Sequence, residues 1–346
     1  MLKQVQHDSS SEAIYYIISS LILYYINKNK EGKRLKFPKL KIGELIPKYP
    51  IIQGGMAVKV SMAELAAAVA DEGGIGVIAG SAVSAKELKE EILKAKEMTN
   101  GILGVNIMFA VKNFLEVVKA SIEAKIDLII SGAGFSRDIF GICRKENIPF
   151  VPIVSSVKLA KISEKLGAAA IIVEGGNAGG HIGTQKDSWE IIKEIKNSVK
   201  LPVIGAGGII DKKDMEKMFK LGVDGVQIGT RFLASIEANV SDKFKELLVK
   251  AKESDIVTII SSVGLPANAI KTKLSELILH GNPPKPEKCD LCLKACTKKF
   301  CIFEALNYAR EGNLEKGLFF SGKDGWKIND ILSVKEIFQN LFGDST

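Results

Sequence analysis

From Pro50 onward, short apolar runs alternate with longer stretches in which apolar residues recur at helical spacing. The runs are Pro50–Gln53, Gly76–Ala79, Gly104–Ile107, Leu128–Ser131, Phe150–Ile153, Ala170–Glu174, Val203–Gly205 and Gly225–Ile228. Between them Ser61–Glu72, Ala85–Met98, Lys112–Ala124, Val157–Leu166, Ser188–Asn197 and Lys212–Leu221 read as amphipathic helices. Ser84 and Asp211 stand where N-caps belong. The runs are apolar throughout rather than alternating, as expected of parallel strands covered on both faces. Eight strand–helix units, recurring about every 25 residues, predict a closed (β/α)8 barrel, with a doubly wound open sheet as the alternative.

The last unit is interrupted. After Gly225–Leu233 the pattern becomes helical at Ser241–Lys252, strand-like at Ile256–Ser261, then cysteine-rich. Only Ser333–Leu341 supplies a closing helix. The expected organisation is therefore a barrel of residues 37–235 and 321–346 with a small lid, 236–320, inserted in the eighth unit. Residues 1–36 form an extension to which the sequence assigns no function. Its apolar stretch Ala13–Ile26 is short of the roughly 20 residues a membrane span needs. It also lacks the strong basic start and the small-residue cleavage site of a secretory signal.

Composition narrows the partners. The net charge of +8 comes almost wholly from lysine, arginines standing only at 34, 137, 144, 231 and 310. The lysines recur on polar helix faces among acidic residues, which is a solvated surface and not a stripe for nucleic-acid phosphates. Five cysteines without a secretory signal suggest a reducing cytoplasm.

Barrel enzymes work where their strands end, and these ends carry glycine and small amides. They are Gln53-Gly-Gly-Met56, Asn106, Ser131-Gly-Ala-Gly134, Glu174, Gly205-Ala-Gly-Gly208 and Gln227-Ile-Gly-Thr230. Glycines after the seventh and eighth strands match the phosphate site that many barrels build from those two loops. The chain lacks the G-x-G-x-x-G dinucleotide pattern after its first strand. The loop after strand six, Glu174–Thr184, holds five glycines in eleven residues and His181, one of only three histidines. A lone imidazole on backbone stripped of side chains is suited to proton exchange, its unperturbed pKa being about 6.5.

Taken in order, Pro50-Ile-Ile-Gln-Gly-Gly-Met56, Gly73-Gly-Ile-Gly76, Gly104-Val-Asn-Ile107, Gly179-Gly-His-Ile-Gly183, Gly205-Ala-Gly-Gly-Ile209 and Gln227-Ile-Gly-Thr-Arg-Phe232 resemble the nitronate monooxygenase (2-nitropropane dioxygenase) family. That family also embraces FMN-dependent enoyl-acyl carrier protein reductases. The resemblance runs over about residues 37–275 and implies FMN in the barrel. It places the FMN phosphate at Gly207, Gly208, Gln227, Ile228, Gly229 and Thr230, and the ring against Gln53, Gly54, Gly55 and Met56. Asn106 and Glu174 would stand near the ring's polar edge or the ribityl chain, Gly180 beside the cofactor, and His181 on the substrate side as general base or orienting donor. The implied substrate is a small molecule, an alkyl nitronate oxidised with molecular oxygen. An enoyl thioester reduced at the expense of NAD(P)H is the alternative, and a homodimer is one assembly open to such an enzyme.

Two positions depart from the family pattern. Asn177 stands where an acidic residue is common, which puts the neighbour of His181 in question. Pro266-Ala-Asn268 lacks the usual arginine. Cys289, Cys292, Cys296 and Cys301 have the density of a metal or cluster site without matching a ferredoxin run or paired zinc knuckles. They read first as packed or free thiols, then as a metal or cluster site, and last as a redox disulfide, and a helix from Leu291 would put Cys292 and Cys296 on one face. Two readings of another kind remain at this point: a redox- or metal-sensing flavoprotein, and a phosphosugar barrel without flavin.

Overall fold

A computed structural model describes residues 37–286 and 288–343. The apolar stretch Ala13–Ile26 lies outside them. The described residues from Pro38 onward cluster as one unit. In chain order it contains β1 (Ile51–Gln53), α1 (Ala63–Asp71), β2 (Ile75–Ala79), α2 (Ala85–Met98), β3 (Ile102–Met108), α3 (Phe114–Glu123), β4 (Leu128–Gly132), α4 (Asp138–Lys145), β5 (Phe150–Val154), α5 (Val157–Leu166) and β6 (Ile171–Glu174). There follow β7 (Gly180–His181), α6 (Ser188–Lys196), β8 (Val203–Ala206), α7 (Lys212–Phe219), β9 (Gly225–Ile228), α8 (Thr230–Leu233), α9 (Asp242–Lys250), β10 (Ile256–Ile260), β11 (Pro266–Ile270), α10 (Lys273–Leu279), α11 (Ile302–Arg310) and α12 (Val334–Phe342).

The fold is a (β/α)8 barrel. β1–β6, β8 and β9 close in sequence order, β1 pairing with both β2 and β9 in parallel. All eight apolar runs became its staves. Ile52, Ile75, Val77, Leu128, Ile130, Val151, Ile172 and Ile204 fill the interior. Leu40 closes it where the strands begin, packed over Gly225. Each branched aliphatic hidden there contributes about 1.5–3 kcal/mol, so this filling is the main source of the barrel's stability. Ser84 and Asp211 cap α2 and α7, each accepting the backbone N–H three residues on. α4 follows β4 as the eight-unit pattern expects, though its own periodicity is weak. Gly141 interrupts its short pattern, and the burial of Ile139, Phe140 and Cys143 stabilises it instead.

After β9 the chain leaves the barrel. β10 and β11 form an antiparallel hairpin whose third strand is β7, from the loop after β6. The stretch from Ser241 begins as expected with α9, which Ser241 caps. β11, α10 and α11 carried no clear sequence signal. No helix follows Leu291: residues 291–300 are irregular, tied to the barrel by Lys112 N–H to Cys292 O (2.9 Å) and Lys294 N–H to Ala110 O (2.8 Å). α12 returns to the barrel, its N-cap Ser333 and Glu336 forming a capping box. No helix among the described residues is long and apolar enough to cross a membrane.

Candidate active site

The strand ends open onto a cavity of about 220 Å³, an order of magnitude more than a single water occupies. Gly54, Gly55, Met56, Asn106, Glu174, Gly180, His181, Gly207, Gly208, Gln227, Ile228, Gly229 and Thr230 all face it. Gln53 does not. Its side chain is fully buried, accepts Val77 N–H (2.9 Å) and donates to its neighbour's carbonyl, so it joins β1 to β2 and presents only the following backbone to a ligand. Val60, Leu233, Phe244, Leu306 and Leu318 line an apolar part of the same cavity.

One corner could hold an anion. Gly207 and Gly208 turn the chain after β8 at φ +97° and +72°, which only glycine adopts without strain. A Cβ on Gly208 would fall 2.5 Å from Asn177 Nδ2. A Cβ on Gly229 would meet nothing within 4 Å, so this glycine opens straight into the cavity. Asn177 is buried there. Its Oδ1 accepts Ser188 N–H (3.1 Å) and Oγ–H (2.6 Å), while its Nδ2 has no partner. A buried amide donor left unpaired costs about 1–3 kcal/mol unless a ligand accepts from it. The Asn177 side chain is thus bonded to Ser188 and makes no hydrogen bond with His181, whose partner is Ser261. The sequence also missed Gly322 and Asp324, which close the corner. Gly322 N–H donates to Thr230 Oγ1 (3.0 Å), and Asp324 is neutralised by Lys327 at 2.6 Å. Gly322 and Gly325, three residues apart, were the available sign of them.

The ring-sized space beside that corner is walled by backbone. Gly55 lies against Asn106, where a Cβ would come within 2.4 Å of the asparagine's own. Asn106 Nδ2 donates to Gly55 O (3.2 Å), leaving its Oδ1 without a partner, and Gln227 Oε1 is likewise unpaired. These unsatisfied amide oxygens at a glycine wall suit a flat ligand with N–H groups on its edge. Glu174 ends β6 in the same space, and burial pushes its carboxyl up to about 8. It is therefore protonated at neutral pH and able to donate a hydrogen bond. Its folded pKa lies above the unfolded value, so the native state is favoured below that unfolded value. The advantage is lost as pH rises through 8. Glu174→Gln should accordingly unfold at higher temperature than wild type at pH 9 and equally at pH 4, as differential scanning calorimetry would read.

His181 sits on β7, paired with Ala267 of β11. Its Nε2 lies 2.9 Å from Ser261 Oγ, and the edge of Phe320 meets its ring at 5.4 Å and 82°. Burial drives its pKa down to about 4. The expectation of titration near neutrality is thus corrected: at pH 7 the imidazole is neutral. Asn268, which replaces the expected arginine, is fully buried. Its Nδ2 donates to the carbonyls of Gly176 and Ala178 (both 2.8 Å) and its Oδ1 accepts from Thr258 (2.7 Å). This one side chain locks the histidine loop to the hairpin. Asn268→Ala should cost about 2–4 kcal/mol in urea unfolding, three bonds being lost in a dry site. Asn268→Asp should cost more, since it sets a carboxylate oxygen against two carbonyls.

Cys289, Cys292, Cys296 and Cys301 are free and partly or fully exposed, and Lys298 N–H donates to Cys296 Sγ (3.4 Å). Among the described residues no three His, Cys, Asp or Glu side chains are arranged to hold a metal. Cys143 is buried in α4, which pushes its thiol up to about 12 and leaves it inert.

Known proteins share this architecture. The family model described as nitronate monooxygenase matches residues 39–130 and 113–344. A probable nitronate monooxygenase of Staphylococcus aureus (strain MSSA476) is 30% identical over 273 residues, 66% of this chain and 77% of that protein. FabK from Thermotoga maritima superposes with a TM-score of 0.78 at 33% identity, over 85% of this chain and 92% of that one. Nitroalkane oxidase from Streptomyces ansochromogenes superposes with a TM-score of 0.74 over 85% and 95% of the two chains. Its 20% identity makes that likeness one of fold. The chain belongs to the nitronate monooxygenase family of oxidoreductases.

Proposed function

We propose that this protein is an FMN-dependent enzyme that oxidises alkyl nitronates with molecular oxygen, and that His181 deprotonates neutral nitroalkanes to feed the reaction. The observation that carries the reading is a neutral imidazole lining the same cavity as a glycine corner with an unpaired amide donor. The residues fit the cofactor. Gly207, Gly208, Gly229, Thr230 and Asn177 Nδ2 would hold its phosphate, Gly54, Gly55 and Met56 would lie along the ring, and Asn106, Gln227 and protonated Glu174 would meet its polar edge. When bound, the flavin supplies the electron chemistry between substrate and oxygen that no side chain here can perform. The protein's part is to bind, orient and move one proton. Neutral His181 has a lone pair for the carbon-bound proton next to a nitro group. The apolar wall of Val60, Leu233 and Phe244 keeps water from competing.

That apolar wall also favours a second reading, in which the chain reduces an enoyl thioester with electrons from NAD(P)H. Purified enzyme decides between them. The first reading expects a flavin absorption spectrum and oxygen uptake on adding a nitronate. Rapid NADH or NADPH consumption with an enoyl thioester, and no oxygen uptake with nitronate, would replace it with the second. Colourless protein that binds no FMN would end both.

A further inference from the structure

Ser261 follows β10 at the tip of the hairpin and is 2% exposed. Its backbone is fixed on both sides, Ser261 N–H donating to Leu265 O (2.9 Å) and Gly264 N–H to Ser261 O (2.9 Å). The hairpin is in turn bonded to the strand that carries the histidine, through the Ala267–His181 pair and Ile182 N–H to Pro266 O (2.9 Å). The hydroxyl is therefore held at 2.9 Å from Nε2 by a continuous run of main-chain bonds, across 80 residues of sequence. Nδ1 has no hydrogen-bond partner among the described residues, and His181 lines the cavity.

We propose that Ser261 is a positioning residue that reserves Nδ1 of His181 as the atom receiving the substrate's proton. This rests on the reading of His181 as a base. A neutral imidazole carries one N–H and one lone pair. For Nδ1 to accept a proton, Nε2 must carry the hydrogen and needs an acceptor, which Ser261 Oγ supplies. The carbon–hydrogen bond of the nitroalkane breaks, its electron pair stays on the substrate as nitronate, and the proton forms a bond to Nδ1. The resulting imidazolium keeps its Nε2–H on Ser261 Oγ. Burial disfavours that cation, and among the described residues no charged side chain offsets the penalty, so the serine oxygen is its available support.

Three variants and two readouts test the idea. Ser261→Ala should lower kcat with a neutral nitroalkane by about 10- to 100-fold, the effect of leaving one buried donor unpaired. KM and turnover of the preformed nitronate should stay within about threefold, since neither needs proton abstraction. Ser261→Thr, which keeps the hydroxyl, should restore most of kcat. Independently of turnover, ¹⁵N NMR of histidine-labelled protein should show Nε2 protonated and Nδ1 bare in wild type, shifting toward the opposite tautomer in Ser261→Ala. Equal loss on both substrates, threonine no better than alanine, or an unchanged tautomer would overturn the proposal. His181→Ala measured alongside separates the two questions. If it too loses both substrates equally, the base reading fails, whereas discrimination by His181→Ala but not by Ser261→Ala rejects the serine's role alone.

Discussion

Gly229→Asp is expected to yield a folded, colourless protein that no longer retains FMN. The substitution starts from a Cβ position with no neighbour within 4 Å, so the apoprotein should melt near the wild-type temperature. What changes is the charge at the corner formed with Gly207, Gly208 and Asn177 Nδ2. Two like charges about 4 Å apart repel by about 4 kcal/mol in a partly shielded site. FMN affinity should therefore fall on the order of a thousandfold, measured by flavin fluorescence quenching on titration of the apoprotein. Gly229→Asn has nearly the same shape without the charge and should lose far less. Wild-type flavin content in Gly229→Asp would remove the phosphate from this corner and leave the flavin to be held elsewhere in the cavity.

His181→Ala should keep its flavin and lose about 10²- to 10⁴-fold in turnover of neutral nitroalkanes, the usual worth of a positioned general base. Preformed nitronates, which arrive already deprotonated, should be affected much less. Equal loss on both would mean that His181 orients the substrate and removes no proton. The wild-type pH profile carries its own sign. A base works unprotonated, and burial holds His181 near 4, so kcat/KM for the nitroalkane should be flat from neutrality to about pH 5 and fall only below it. The same depression makes the histidine's share of folding stability complete above its unfolded pKa of about 6.5 and lost as pH falls toward 4. An acid limb near 6.5 instead would mean that the ring is better hydrated, or better paired as a cation, than its surroundings here suggest.

The loop after β6 joins two parts of the molecule that the sequence treats as separate. Its glycines let the main chain of Gly180 and His181 pair as a strand with β11, and Asn268 clamps the carbonyls of Gly176 and Ala178. The residue that departs from the family's usual arginine has thus become a structural clamp. Asn177, the other departure, faces the Gly207–Gly208 corner through an amide that can donate where an acidic side chain would repel an anion. Both substitutions make sense only once their partners, across tens of residues, are known.

Local pattern decided the barrel, because a strand buried on both faces must be apolar throughout and each crossover helix must show one apolar face. Those constraints act within single segments, so the eight staves and the N-caps at Ser84 and Asp211 could be read one element at a time. The glycines at Gly207 and Gly208 were readable for a similar reason: a positive φ and the close approach of Asn177 exclude other residues. Chain folding alone decided that the Gln53 side chain bridges two strands instead of meeting a ligand, that Ser261 takes Nε2 of His181, and that α4 forms despite Gly141. It also lowered the histidine's pKa and raised that of Glu174, since desolvation depends on what packs around a group and not on what precedes it in the chain.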